Sequence, residues 1–305
     1  MIAVALGFVG AVMFGGADFV GGLAAKRISA VKVTFVSGLA GFCVATIGSF
    51  VVPSVLSWPA LFWGGMAGVV GSAAIMLLYA SLAIGPMSIL SPLGAFVSAV
   101  VPVTWALLSG ESLGAFGFAG IGLGLVAVVL VGVIPEKNAV RASAKGLTMS
   151  IGAGILIGAF LICMAQAPSN AGLIPLVANR IVSATIMGST IAVIAGMRAL
   201  RRRRASEGAS PTALTATVIA RDAFSAGWKP GLQLAVLVGL IDGSGNALLL
   251  LGIQLGDLSV MSVLTAMYPI GTILLAGIVL KERVAPLQAI GLVTAVAAAA
   301  LLAIG

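Results

Sequence analysis

Asp18, Arg180 and Asp242 are charged residues inside stretches that are otherwise apolar for about 20 residues. A charge in hydrocarbon costs roughly 2.5–3.5 kcal/mol even on the lenient insertion scale, so it must be paired, protonated or hydrated. Asp242 is the deepest. It lies 11 residues into its run, about 16 Å down at 1.5 Å per residue, which is half of a roughly 30 Å bilayer core. Gly239, Gly243, Ser244, Gly245 and Asn246 surround it, and Asn246 follows at i+4, so amide and carboxylate share a helix face. A carboxylate so placed can carry a coupling proton or ion, or it can pair with Arg180 as a brace. Asp18 sits between Gly15-Gly16 and Gly21-Gly22, near the end of the first run. The two aspartates could also form an intramembrane proteolytic dyad, but they stand at different depths.

A second set of polar residues is repeated. Laid without gaps over 256–291, the stretch 85–120 matches at Gly85/Gly256, Ser88/Ser259, Ser91/Ser262, Leu93/Leu264, Ala95/Ala266, Glu111/Glu282 and Gly120/Gly291. So biased an alphabet gives roughly three or four of these by chance, and the order of features decides the matter. Each copy has a glycine, small polar residues at helical spacing, a long apolar run, a glutamate at its end and another glycine. Ser88, Ser91, Ala95 and Ser98 fall on one helix face, with Ser259, Ser262, Ala266 and Pro269 as counterparts and Thr265, Tyr268 and Thr272 alongside. Such a face serves either close helix packing or a cavity wall. Tyr268-Pro269 favours the wall locally, because a proline frees a carbonyl in mid-span and the tyrosine brings a hydroxyl.

The elements that must position these groups are membrane spans. The chain is 305 residues long, 61% hydrophobic and 8% charged, with a mean hydropathy of +1.24, whereas a soluble domain carries about 25% charged residues. Apolar runs predict ten helices, at roughly 2–22, 31–52, 60–83, 86–108, 114–134, 146–166, 173–197, 231–254, 258–280 and 286–304. Asp18 interrupts the first run and no basic segment precedes it, so it reads as a span and not a signal peptide. Residues 1–135 form one five-helix repeat and 145–305 a second, and 198–230 reads as a flexible basic loop opening with Arg201 to Arg204. The fold class expected is an all-α integral membrane protein. Five spans per half is an odd number, so the halves insert as inverted repeats.

Charge distribution sets the orientation. Of the 16 Lys and Arg residues, all but Arg180 fall in the odd-numbered gaps between spans or, for Lys32, at the edge of one. By the positive-inside rule those gaps face the cytoplasm of a cell membrane, and both termini lie outside. The same distribution explains the net charge of +8 without nucleic acid. The absence of histidine removes His-containing zinc and haem sites and His relays, and Cys43 and Cys163 both lie in apolar runs, so no metal, cofactor or disulfide is implied. No Walker motif is present to bind a nucleotide.

Three short motifs carry a family likeness. Gly15-Gly16-Ala17-Asp18-Phe19 with Gly21-Gly22 and Lys26-Arg27 resembles the opening of EamA-type members of the drug/metabolite transporter superfamily. Ser109-Gly110-Glu111 and Lys281-Glu282-Arg283, followed by Gly120 and Gly291, resemble that family's repeated span-end motif. Arg180 stands where many members carry an arginine, whereas the first repeat has Ser37 there. The resemblance implies a ten-helix carrier of small metabolites, amino acids or drugs that works by alternating access. It is not an enzyme on this reading. The pathway residues expected are Asp242, Asn246, Asp18, Arg180, Ser91, Ser262, Thr265 and Tyr268, with a small-molecule substrate, the lipid bilayer and protons as partners. An intramembrane enzyme or a non-transporting receptor or scaffold is the competing reading.

Overall fold

The computed structural model of the protein describes residues 2–25, 27–84, 87–110, 114–132, 143–208 and 229–268, with scattered positions between 271 and 301. Regular structure among the described residues is helical throughout. The helices are α1 (Ile2–Ala25), α2 (Ala30–Val51), α3 (Trp58–Ile84), α4 (Met87–Leu108), α5 (Ala115–Gly132), α6 (Ala144–Ala165), α7 (Ile174–Gly208), α8 (Lys229–Leu255) and α9 (Leu258–Ala266). Segments of α1, α2, α3, α6, α7 and α8 are each long and apolar enough to cross a membrane, and α4 and α5 contain shorter apolar stretches. Most of the span expected at 286–304, like Glu111, Lys281, Glu282 and Arg283, lies outside the described residues.

The outer surface explains the composition. Phe50 is 87% exposed, and Val9, Ile47, Trp105, Phe116, Phe118, Ile181 and Val193 also face outward. Apolar residues exposed on so many of the helices suit a lipid solvent, where helices satisfy their own backbone groups. The interior is packed instead on small residues. In α8, a Cβ on Gly239 would collide with the carbonyl oxygen of Ser37 in α2, and one on Gly243 would stand 2.8 Å from the Cα of Gly41. In α3, a Cβ on Gly64 would collide with the carbonyl oxygen of Pro175 in α7, and one on Gly68 would stand 2.7 Å from that of Asn179. Two glycines four residues apart thus seat α8 on α2 and α3 on α7. In addition, α1 packs on α8 and α9, α6 packs on α3 and α4, α2 meets α7, and α4 meets α9. Ser150 of α6 ties the α4–α6 contact by donating to the Leu90 carbonyl at 2.6 Å.

Two boundaries differ from the sequence expectation. The basic loop was expected to begin at Arg198, but α7 continues as helix to Gly208, carrying Arg201 to Arg204. Arginine, alanine and glutamate are good helix formers, and an established helix adds such residues at little further cost. The span expected at 258–280 ends its first helix at Ala266, and Met267 and Tyr268 form a turn. There the Met267 amide donates to the Leu264 and Thr265 carbonyls, and the Tyr268 amide to Thr265 at 3.0 Å. Pro269 is next in sequence, and a residue before proline is pushed out of the helical region.

A candidate solute cavity around Arg180 and Asp242

Helices α1, α2, α3, α4, α6, α7, α8 and α9 leave a cavity between them, with about 130 Å³ open to the centres of water molecules. One water centre needs roughly 10–15 Å³, so the space is that of a small organic molecule and not of a single trapped water. Its apolar wall includes Phe14, Ile75, Leu78, Phe160 and Leu161. Its polar wall includes Asp18, Ser37, Asn179, Arg180, Asp242 and Asn246, together with Thr265 and Tyr268 from the end of α9. A mostly apolar concavity with a few convergent polar groups is the usual form of a small-molecule site.

The strongest interaction in the wall is an ion pair. An Arg180 terminal nitrogen (Nη2) donates to Asp242 Oδ2 at 2.6 Å, and the two side chains retain only 11% and 23% of their exposure. Asn246 Nδ2 donates to Asp242 Oδ1 at 3.0 Å and to its backbone carbonyl at 2.9 Å. The i+4 spacing therefore does what the sequence suggested, and both carboxylate oxygens are engaged. Gly41 makes room for the arginine: a Cβ there would stand 3.1 Å from Arg180 Cζ. Arg180 Nε is buried with no hydrogen-bond partner among the described residues, so the guanidinium is held chiefly by its one carboxylate.

The expected pathway residues divide. Asp18, Arg180, Asp242, Asn246, Thr265 and Tyr268 meet at the cavity. Thr265 spends its hydroxyl proton on the Met261 carbonyl at 2.7 Å. Ser262 is fully buried in α9 and donates to the Ser259 carbonyl, outside the cavity wall. Ser91 is on α4, and its side chain is outside the described residues. The serine face of α4 is used for both purposes: Gly94 packs against Ser150, and Ser98 reaches the wall. Sequence reasoning missed Asn179, Ser72 and Ser183. Ser72 and Ser183 join α3 to α7 at 2.9 Å. Asn179, the neighbour of Arg180, is 4% exposed and lines the cavity. An amide in mid-span is rare enough to have been a usable signal.

Comparison with known proteins agrees with this architecture. A family model described as EamA-like transporter family matches residues 144–304, more than half of the chain. A solved structure described only as "Crystal structure of protein" superposes with a TM-score of 0.69 at 16% identity, covering 99% of this chain and 96% of that one. At that identity the likeness is one of fold. No curated protein matches the chain.

Proposed function

The chain belongs to the EamA-like transporter family, and from that premise we propose that it is a secondary transporter of a small organic solute, working by alternating access in the cell membrane. The observation that carries the reading is the cavity, walled by helices from both halves and containing a buried ion pair. The helix contacts support two inverted five-helix repeats. Exchanging α1 with α6, α2 with α7, α3 with α8 and α4 with α9 turns the α1–α8 contact into α6–α3, α2–α8 into α7–α3, and α1–α9 into α6–α4. The α2–α7 and α4–α9 contacts map onto themselves. Carriers built in this way bind solute where the repeats meet and rock one repeat against the other. The turn at Met267 and Tyr268 fits that pattern, because broken helices in membranes are tolerated where they line a cavity.

The pair of Arg180 and Asp242 ties α7 to α8 and cancels two charges that neither lipid nor an empty cavity would tolerate singly. A proteolytic dyad is disfavoured, since one oxygen of Asp242 is held by Arg180 and the other by Asn246. The test is counterflow. Purified protein in sealed vesicles loaded with a mixture of unlabelled small metabolites should accelerate the entry of at least one labelled counterpart. Vesicles that exchange no labelled solute faster than protein-free vesicles would refute the carrier reading.

A further inference from the structure

We propose that the solute carried through this cavity is an organic cation, with the Asp18 carboxylate as the group that receives its positive charge. This rests on the carrier reading above. The charges of the wall do not balance. Among the described residues Arg180 is the one basic group of the wall, and it is committed to Asp242, whose other oxygen is committed to Asn246. Asp18 of α1 is the second acid in the wall, and it has no hydrogen-bond or salt-bridge partner among the described residues. Among the described residues, the charged or titratable groups that face the cavity are Asp18 of α1, Arg180 of α7, Asp242 of α8 and Tyr268 just past α9, and α2, α3, α4 and α6 present none. Lys32 of α2, two residues before the wall residue Thr34, is buried but lies outside the wall.

An unpartnered carboxylate facing an apolar space must take up a proton or a counter-cation. A solute with a cationic nitrogen supplies the second, and an anion meets a guanidinium that is already committed to Asp242. Asn179 is the independent sign that something polar is received here. The residue is 4% exposed and lines the cavity, and its side-chain amide makes no hydrogen bond to another described residue. Primary amides are found in such places when a ligand completes their hydrogen bonds. The rest of the wall, with Phe14, Phe160 and Tyr268, suits an apolar or aromatic body, and aromatic faces also attract cations.

The experiment uses three probes with one aromatic body on purified full-length protein: benzyltrimethylammonium, benzyl alcohol and benzoate, titrated by calorimetry. The quaternary cation has no proton of its own, so any pH dependence of its binding belongs to the protein. The wild type is expected to bind it at least about tenfold more tightly than either other probe. Its affinity should fall as the pH is lowered, by up to about tenfold per unit once one proton competes for the carboxylate. Asp18→Asn should lose at least about tenfold in affinity and show no pH dependence. Asp18→Glu should retain binding, which separates loss of charge from loss of fold. A preference for benzoate, equal binding of the cation by wild type and Asp18→Asn, or no binding of the cation at all would each overturn the inference. Counterflow of labelled solutes separates the two proposals. Exchange of anions alone refutes the cation and spares the carrier, whereas cation binding without any exchange refutes the carrier.

Discussion

Removing both members of the Arg180–Asp242 pair should destabilise the protein no more than removing either one alone. The N–O distance is 2.6 Å, and the side chains are 11% and 23% exposed, so the pair is closer to a buried bridge than to a surface one. Breaking a buried pair from one side costs about 3–5 kcal/mol, because the remaining charge is stranded, whereas an exposed pair is worth about 0.2–1 kcal/mol. The residual exposure of Asp242 places the expected cost at the lower end, about 3 kcal/mol for Asp242→Asn. Arg180→Gln should cost about the same, since it leaves a carboxylate with only Asn246 for company. The double variant should cost about 3 kcal/mol and not about 6, a coupling of about 3 kcal/mol. A charge swap, Arg180→Asp with Asp242→Arg, should recover part of the loss. Unfolding titrations of the four proteins in one detergent measure the cycle. Single variants costing under about 1 kcal/mol, or an additive double variant, would refute the claim that the pair is a brace between α7 and α8.

The other expectations are more local. A reporter active only in the cytoplasm should be silent after Gly305 and active near Ser210, because 15 of the 16 basic residues fall in or at the edge of gaps that the proposed topology puts inside; the reverse pattern overturns the orientation. Alanines at Arg201 to Arg204, on the stretch of α7 beyond the cavity, should leave counterflow within about twofold of wild type, and complete loss in correctly inserted protein would assign that stretch a gating role. Gly68→Ala should lower stability by about 1–3 kcal/mol, since its Cβ would meet the Asn179 carbonyl at 2.7 Å and Val182 Cβ at 2.8 Å. Gly122→Ala, with nothing near its Cβ, is the control and should be neutral or slightly stabilising in the same assay.

The membrane class and the first eight helices were legible because each span is a run of 20 or so apolar residues, a signal that composition alone carries. The partnership of Asn246 with Asp242 was legible for a similar reason, since helical spacing fixes it locally. What could not be read was every choice between distant segments. Arg180 had two carboxylates available, and only the packing of α7 on α2 and α3, seated on Gly41 and Gly68, brings it to Asp242. Depth made Asp242 the first candidate for a coupling group. Tertiary pairing satisfies that carboxylate, whereas Asp18, nearer the end of its span, has no such partner among the described residues. Ser262 lies outside the wall because its face of α9 is packed against neighbouring helices, leaving it 1% exposed, whereas Thr265 and Ser98 make the same bond to a helix carbonyl and do line the cavity. The end of α7 was misplaced because a change from apolar to basic marks where lipid ends, not where a helix must.

Alternating access itself can be measured without knowing the solute. Ser37 lies in the cavity wall and is 8% exposed. In a background carrying Cys43→Ala and Cys163→Ala, Ser37→Cys provides a single thiol in the cavity. A membrane-impermeant maleimide should label it when added to the outside of sealed vesicles and, separately, when trapped inside them. A thiol that reacts from neither side, or from one side only under every condition, would contradict a cavity that opens in turn to each face of the membrane.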